Sequence, residues 1–219
     1  NDIANVSTTG YKRTRLSFRD LAYAAQSAGN DVRAGAGAAA SWASRSEVAG
    51  AIENTGQPLD VAVVGDGFLQ VRRPDGQIGL TRHGALRLNA DRQLVTVNGD
   101  RLQPPVEIPA DVDVADVSIG PDGTVTGPGN RALGQITLRD VPAPAGLQDI
   151  GGSVSIPTQA SGAVRNAAGT IQQGALERSN VDMAETMTSL IEAQRAYSLA
   201  SRALQTQDQL MEIANGVKR

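Results

Sequence analysis

No cysteine occurs among the 219 residues of this chain, which excludes disulfide bonds, thiolate metal sites and cysteine nucleophiles together. Aromatic residues make up only 3% of the sequence, so a hydrophobic core has to be built from Val, Leu, Ile and Ala. No apolar run reaches the roughly 18 residues of a membrane-spanning helix, and we expect a chain that is not membrane-inserted. The formal net charge of −3 offers no basic footprint for nucleic acid, so no nucleic-acid partner is predicted.

The last forty or so residues carry the strongest pattern in the sequence. Five large side chains recur there at seven-residue spacing; we name them the terminal stripe: Met183, Leu190, Tyr197, Leu204 and Met211. Such a repeat places one narrow apolar line along a helix, suited to burial against another helix. Mostly small residues follow three positions later, as at Ala193 and Ala200, which would let a partner helix approach closely. About 36 helical residues would form a rod of about 54 Å. An ordinary helix packed on its own domain is the alternative.

The middle of the chain has a different sequence pattern, in which short apolar runs are separated by tight turns. Gly65-Asp66-Gly67, Pro74-Asp75-Gly76, Asn98-Gly99 and Pro121-Asp122-Gly123 are typical turn sequences, because Pro presets φ and Gly supplies a positive φ. No helix-length periodic run interrupts residues 59–142. This pattern predicts antiparallel hairpins and counts against a βαβ sheet.

These patterns predict an α+β fold, in which a mainly antiparallel β domain is inserted between terminal α-helices that pair as a coiled coil. The first residues, NDIANV, read as the last turn of an N-terminal helix that is truncated here. Ser179 and Asp182 have the spacing of a capping box, which predicts where the C-terminal helix begins. The predicted divisions are 1–26, the end of that N-terminal helix and a motif segment; 27–58, a linker or extended segment; 59–142, the β domain; 143–178, a loop and last strand; and 179–219, the C-terminal coiled-coil helix.

A search for catalytic or metal-binding residues gives little. The lone histidine, His83, follows a strand-like run and has no second titrating group nearby in sequence, so we expect a solvated turn residue. Asp111, Asp113 and Asp116 fail the spacing of a calcium loop, which favours a solvated acidic turn. We therefore predict no catalytic residue, no metal and no cofactor, and a protein that is not an enzyme.

Four separated motifs, in order, resemble one family. Residues 5–12, NVSTTGYK, resemble the N-terminal signature A-N-x-x-T-x-G-[FY]-K of bacterial flagellar rod and hook proteins. Residues 179–181, SNV, followed by 192–197, EAQRAY, resemble their C-terminal signature. Residues 55–68 resemble the rod-type segment T-G-x-x-L-D-V-A-I-x-G-x-G-F-F, and TRHG at 81–84 resembles T-R-x-G, with histidine where aspartate or asparagine is usual.

The resemblance implies a structural subunit of the flagellar rod that self-assembles helically through its terminal helices and transmits torque from motor to hook. It also implies export by the flagellar type III system, a place in the periplasmic rod of the basal body, and contacts with other rod and hook proteins and the surrounding rings. The distal-rod member fits best, and proximal-rod and hook-type axial proteins are the alternatives. The expected assembly residues lie in the two terminal signatures: Asn5, Thr8, Gly10, Tyr11, Lys12, Met183, Met187, Leu190, Gln194, Arg195, Tyr197, Leu204 and Met211.

A function from a different class stays open at this point. Residues 59–142 could form a binding module for carbohydrate or peptidoglycan, which predicts that this segment alone binds a sugar. An enzyme would instead predict an activity that depends on His83.

Overall fold

The computed structural model describes residues 2–20, 38–46 and 48–217. The chain divides into two compact units. The β unit is formed by Ser7–Asn180, and the terminal unit by Asn1–Val6 together with Val181–Arg219.

The β unit begins with a pair of long strands. Strands β1 (Thr14–Asp20) and β2 (Ala38–Arg45) pair antiparallel, with a bulge between Ser17 and Phe18. Within the predicted linker or extended segment at 27–58, residues 38–45 form the extended strand β2, while 27–37 lie outside the described residues. The Ala- and Ser-rich sequence of β2 has weak strand preference of its own, and β1 supplies the ladder of backbone hydrogen bonds that fixes it.

The following strands are short, as the turn-rich sequence predicts. They are β3 (Ile52–Asn54), β4 (Val61–Val64), β5 (Phe68–Arg72), β6 (Ile78–Thr81), β7 (Leu86–Leu88), β8 (Leu94–Thr96), β9 (Arg101–Leu102), β10 (Ser118–Ile119), β11 (Thr124–Gly127), β12 (Arg131–Gln135) and β13 (Leu138–Asp140). Two 3₁₀ turns, Val114–Asp116 and Pro128–Asn130, interrupt them.

The segment 143–178 contains more structure than the predicted loop and last strand. It holds a 3₁₀ turn, Pro144–Gly146, and then β14 (Gln148–Asp149), β15 (Val154–Ile156), β16 (Arg165–Asn166), β17 (Thr170–Gln173) and β18 (Ala175–Glu177). Their runs of two to four residues are too short to show a clear alternation in sequence, and pairing with distant strands defines them.

Every strand pair in the described residues is antiparallel. The main sheet has nine strands and contains the order β14-β15-β6-β5-β9-β8-β7, with β13 pairing with both β5 and β16. A three-stranded sheet has the order β10-β11-β12, and β17 pairs with β4 while β18 pairs with β3. The predicted mainly antiparallel β domain is confirmed.

The core of the β unit is aliphatic. Its fully buried members include Val61, Leu69, Val71, Leu102 and Val125, and the cluster of buried residues contains no aromatic side chain among those the structure describes. The low aromatic content of the sequence correctly predicted this composition.

In the terminal unit, helix α1 spans Met183–Val217 and a 3₁₀ turn spans Ile3–Asn5. The Asp182 carboxylate accepts hydrogen bonds from the backbone N–H groups of Ala184 (2.8 Å) and Glu185 (3.2 Å), which makes Asp182 the N-cap. The prediction that Ser179 caps the helix is wrong by three residues, because aspartate is as good a cap as serine and both lie at the boundary. The described residues contain no helix that is both long and apolar enough to cross a membrane.

Candidate assembly site

The terminal stripe is exposed in the single chain. All five members have large accessible fractions: Met183 44%, Leu190 48%, Tyr197 79%, Leu204 64% and Met211 62%. An exposed apolar line of this length is typical of a surface that another polypeptide covers. Met187 on the same helix is also exposed, as are Gln194 and Arg195.

Apolar residues on α1 extend beyond the stripe. Ile191, Leu199, Leu210 and Ile213 are between 50% and 64% exposed and lie on other faces of the helix at 100° per residue. The face opposite the stripe therefore carries apolar side chains as well as charged ones such as Glu192 and Arg202. A helix that is apolar on several sides is suited to burial by more than one neighbour.

A buried ion cluster lies inside the β unit, and the separated sequence motifs meet there. The carboxylate of Glu177 is 1% exposed and contacts two cations. Its Oε1 accepts a short hydrogen bond from Lys12 Nζ, and its Oε2 lies 3.1 Å from Nη1 of Arg82. Lys12 belongs to the N-terminal signature, Arg82 to the TRHG motif, and Glu177 lies two residues before the C-terminal signature.

Further contacts complete this cluster. The Gly50 N–H donates to Glu177 Oε1 at 2.8 Å, and Arg82 Nη2 donates to the Gly65 carbonyl at 2.7 Å. The Arg82 guanidinium also lies over the Phe68 ring, 5.4 Å from its centroid. Gly65 and Phe68 come from the rod-type middle segment, so this arginine joins a third motif to the cluster. A buried carboxylate with this many donors stabilises one arrangement of the segments that supply them.

Asn180 links the same segments from the C-terminal side. Its Oδ1 accepts from the Arg13 backbone N–H at 2.7 Å, and its Nδ2 donates to the Val48 carbonyl at 2.8 Å. Its own N–H donates to the Tyr11 carbonyl at 3.3 Å. The chain therefore enters and leaves the β unit at adjacent positions.

Gly10 packs closely against the main chain in this region. Its φ is +67°, and a Cβ built there would lie 2.7 Å from the Arg82 carbonyl carbon. Both the backbone angle and the lack of space select glycine. The glycine of the N-terminal signature therefore has a packing reason within the β unit.

The predicted assembly residues thus fall into two groups. The seven helix residues Met187, Leu190, Gln194, Arg195, Tyr197, Leu204 and Met211, with Met183, are exposed on α1. Gly10, Tyr11 and Lys12 are instead buried in the β unit. Lys12 is buried because its ammonium pairs with Glu177 and donates to the Val48 carbonyl (2.9 Å). Asn5 and Thr8 are half-buried.

Sequence reasoning missed Glu177. The signal that could have found it is the alternation of β18, in which Ala175 and Glu177 share the buried face and Leu176 does not. A carboxylate on the inward face of a strand requires a cation, and the sequence alone does not say which of twenty lysines and arginines supplies it.

His83 differs from the solvated turn residue expected from sequence. It is half-buried, its N–H donates to Thr81 Oγ1 at 3.0 Å, and its Nδ1 is buried with no hydrogen-bond partner in the described part of the chain. Burial lowers the pKa of His83, against the opposing effects of a backbone hydrogen bond and the Asp60 charge. Residues 2–20, 38–46 and 48–217 contain no group of three or more His, Asp or Glu side chains that could hold a metal ion.

A cavity of about 230 Å³ lies beside the ion cluster and bears on the sugar-binding alternative. Its lining includes Phe68, Arg82, Pro142 and Leu147. A sugar ring would stack on an exposed aromatic face, but the Arg82 guanidinium already covers Phe68. The cavity therefore gives that alternative no support.

Comparison with known proteins matches two family models. Residues 62–127 match the flagellar hook protein FlgE/F/G D1 domain, and residues 172–217 match the C-terminal region of flagellar basal body rod FlgEFG proteins. The first match covers most of the predicted β domain, and the second covers the end of β17 and all of β18 and α1.

Full-length relatives give the same result. The flagellar basal-body rod protein FlgG of Borreliella burgdorferi is 35% identical over 100% of this chain and 91% of its own length. FlgG of Agrobacterium fabrum is 37% identical over 98% of this chain and 90% of its own length. The flagellar hook-basal body complex protein FlhP of Bacillus subtilis is 33% identical over 100% of this chain and 91% of its own length. The resemblance read from the four motifs, strongest to FlgG as the distal-rod member, is confirmed.

Proposed function

Because the chain belongs to the flagellar basal-body rod protein family, we propose that it assembles into a helical shaft through the exposed faces of helix α1. The chain is a structural subunit of the rod and is located in the flagellar basal body. The proposal concerns how such a subunit assembles and what its assembly does.

The observation that carries the proposal is the exposed terminal stripe. Full burial of a Leu, Met or Tyr side chain contributes about 1.5–3 kcal/mol, reduced here because each side chain is already partly covered. Association also costs translational freedom and side-chain entropy. Five such residues on each copy, repeated along a polymer, together favour assembly without any single strong contact.

Apolar residues on several faces of α1 favour a polymer over a simple dimer. A two-fold dimer would cover the stripe but leave Leu199 and Ile213 in water, where both are now 64% exposed. Contacts between unlike faces of successive copies do not close, and such contacts generate helical filaments. A layer of packed α1 helices would bury both the terminal stripe and the apolar residues on the other faces of α1. It would give a stiff core able to carry torque from motor to hook.

Neighbouring partners follow from the same arrangement. Other rod and hook proteins with a similar helix would continue the helical layer at its ends, and surrounding ring proteins are further partners. Export through the flagellar type III system in an unfolded state fits a helix whose apolar faces gain their cover only after assembly.

Paired charge substitutions test the proposal. Leu190→Asp with Leu204→Asp places two carboxylates in the stripe and should abolish rod assembly and motility while the β unit keeps its thermal transition. Gln77→Asp with Val97→Asp adds the same charge at two exposed positions of the β unit, outside helix α1, and should leave rods and motility intact. Rods of normal length from the stripe variant, seen by electron microscopy, would overturn the proposal.

A further inference from the structure

The two segments that connect the β unit to the terminal unit run side by side. The Gly10 N–H donates to the Glu177 carbonyl at 2.8 Å, and the Asn180 N–H donates to the Tyr11 carbonyl at 3.3 Å. The Arg13 N–H adds a third bond, to Asn180 Oδ1 at 2.7 Å. The outgoing and incoming chain are thus joined at both ends of a four-residue stretch.

A third segment, Val48 to Gly50, holds both strands of this junction. The Val48 carbonyl accepts from Lys12 Nζ at 2.9 Å and from Asn180 Nδ2 at 2.8 Å, so one oxygen bridges the two connecting segments. The Gly50 N–H binds Glu177 Oε1 at 2.8 Å, and a Cβ at Gly50 would lie 1.9 Å from the Arg178 carbonyl oxygen. These contacts oppose a shift of residues 10–13 along residues 177–180.

The connections beyond the junction are short. Three residues, Ser7 to Thr9, separate Gly10 from Val6, and two residues, Val181 and Asp182, separate Asn180 from helix α1. An extended chain covers at most about 3.5 Å per residue, so these two connections span only about 10 Å and 7 Å. In the terminal unit, the 3₁₀ turn Ile3–Asn5 contacts α1. A shift of one heptad along a helix is about 10.5 Å, so a fixed junction leaves little room for such a shift.

We propose that this junction is a register clamp, which fixes the axial offset between the N-terminal segment and helix α1, with Asn180 as its central positioning residue. The inference rests on the proposed function, because one register in every copy is what a regular helical layer requires. A chain with a loose junction would present α1 in several offsets, and successive copies would not repeat the same contacts.

Cysteine cross-linking tests the clamp within a single chain. The natural sequence has no cysteine, so a cysteine replacing Ile3 can be paired with cysteines scanned through positions 184–193 of α1. In the otherwise unchanged chain, intrachain disulfides should concentrate at one position and its neighbours one turn away. Asn180→Ala removes two side-chain hydrogen bonds of about 1 kcal/mol each, which should raise cross-linking at slipped positions about tenfold or more relative to the main one.

Matched variants keep the result interpretable. Asn98→Ala removes one side-chain hydrogen bond elsewhere in the β unit, to the Gly152 carbonyl at 2.9 Å, and should leave the cross-linking pattern unchanged. Asn180→Asp keeps the acceptor for Arg13 and loses the donor to Val48, so it should give an intermediate pattern and serves if the alanine variant does not fold.

An Asn180→Ala chain that folds and cross-links like the unchanged one overturns the clamp. If Asn180→Ala does not fold, an unchanged pattern in Asn180→Asp overturns it instead. Because the readout needs no polymer, either result is separate from the proposed function, which fails only if the stripe variant assembles.

Discussion

Glu177 Oε2 lies 3.1 Å from Nη1 of Arg82, a residue 95 positions earlier in the chain, and both side chains are buried. This pair, with Lys12 on the other carboxylate oxygen, joins the end of the last strand to a turn in the middle of the main sheet and to the first residues of the β unit. Two stretches that resemble family signatures, 5–12 and 81–84, thus meet at one carboxylate that lies two residues before a third. The contact between Lys12, Arg82 and Glu177 stabilises the β unit at the place where the chain enters and leaves it.

Neutralising Glu177 should destabilise the β unit strongly. Glu177→Gln leaves two buried cations without a carboxylate, and breaking a buried pair in this way costs about 3–5 kcal/mol. Glu53→Gln is the control, because Glu53 pairs with Arg178 at 3.6 Å with both side chains more than 60% exposed. Exposed pairs contribute up to about 1 kcal/mol. Denaturant unfolding measures both variants, and equal losses would refute the importance of burial here.

A pair of glycine substitutions separates crowding from backbone strain. Gly10 and Gly56 both have φ of +67°, but a Cβ at Gly10 would meet the Arg82 backbone at 2.7 Å whereas nothing lies within 4 Å at Gly56. Gly56→Ala should cost about 1 kcal/mol from strain alone. Gly10→Ala should cost at least about 2 kcal/mol more, because the main chain of Arg82 has to move. Unfolding free energies measured side by side decide this, and similar values would show that the contact relaxes freely.

The stability of the β unit should depend on pH through His83. Burial lowers its pKa in the folded chain below the ordinary value of 6.5, so the folded state disfavours the protonated ring. The stability that the neutral His83 ring contributes to the folded chain is therefore fully present above about pH 6.5. It is lost as pH falls towards the lowered pKa, because the unfolded chain binds the proton first.

His83→Asn should remove this dependence, because an amide does not titrate in that range. We expect the unfolding free energy of the variant to fall less between pH 7 and pH 5 than that of the unchanged chain. Thermal unfolding at several pH values provides the measurement, and parallel curves for the two proteins would show that His83 does not titrate differently in the folded state.

The N-cap assignment predicts unequal effects of two neighbouring substitutions on helix α1. Asp182→Ala removes the acceptor for the N–H groups of Ala184 and Glu185 and should cost about 1 kcal/mol of helix stability. Ser179→Ala lies three residues before the cap and should leave the helix signal unchanged. Hydrogen exchange at residues 183–190 is the readout, and greater fraying in the Ser179 variant would move the cap back to the position predicted from sequence.

The sequence was sufficient for the features that depend on local pattern. The seven-residue spacing of Leu190, Tyr197 and Leu204 predicted a long helix with an exposed apolar line, and α1 follows it over 35 residues. The turn sequences predicted short antiparallel strands, since Gly76 and Gly123 adopt the positive φ that such turns require. Motifs near both ends and in the middle predicted the family.

Local pattern failed where pairing partners are distant. The Ala-rich β2 shows no strand pattern in sequence because its strand form depends on pairing with β1. The pair β15 and β6 joins residues more than 70 positions apart. His83 was placed in solvent because its neighbours in sequence are polar, although its neighbours in space bury it.

By itself, the sequence determined that this chain carries a long helix with an apolar line and an aliphatic β unit. Periodicity and turn chemistry depend on residues close together along the chain. Only the tertiary structure decided what Lys12, Arg82, Glu177 and Asn180 do, since their roles arise from contacts across 95 to 167 positions. A charge or an amide in a sequence has many possible partners, and folding selects one by removing water from the place where they meet.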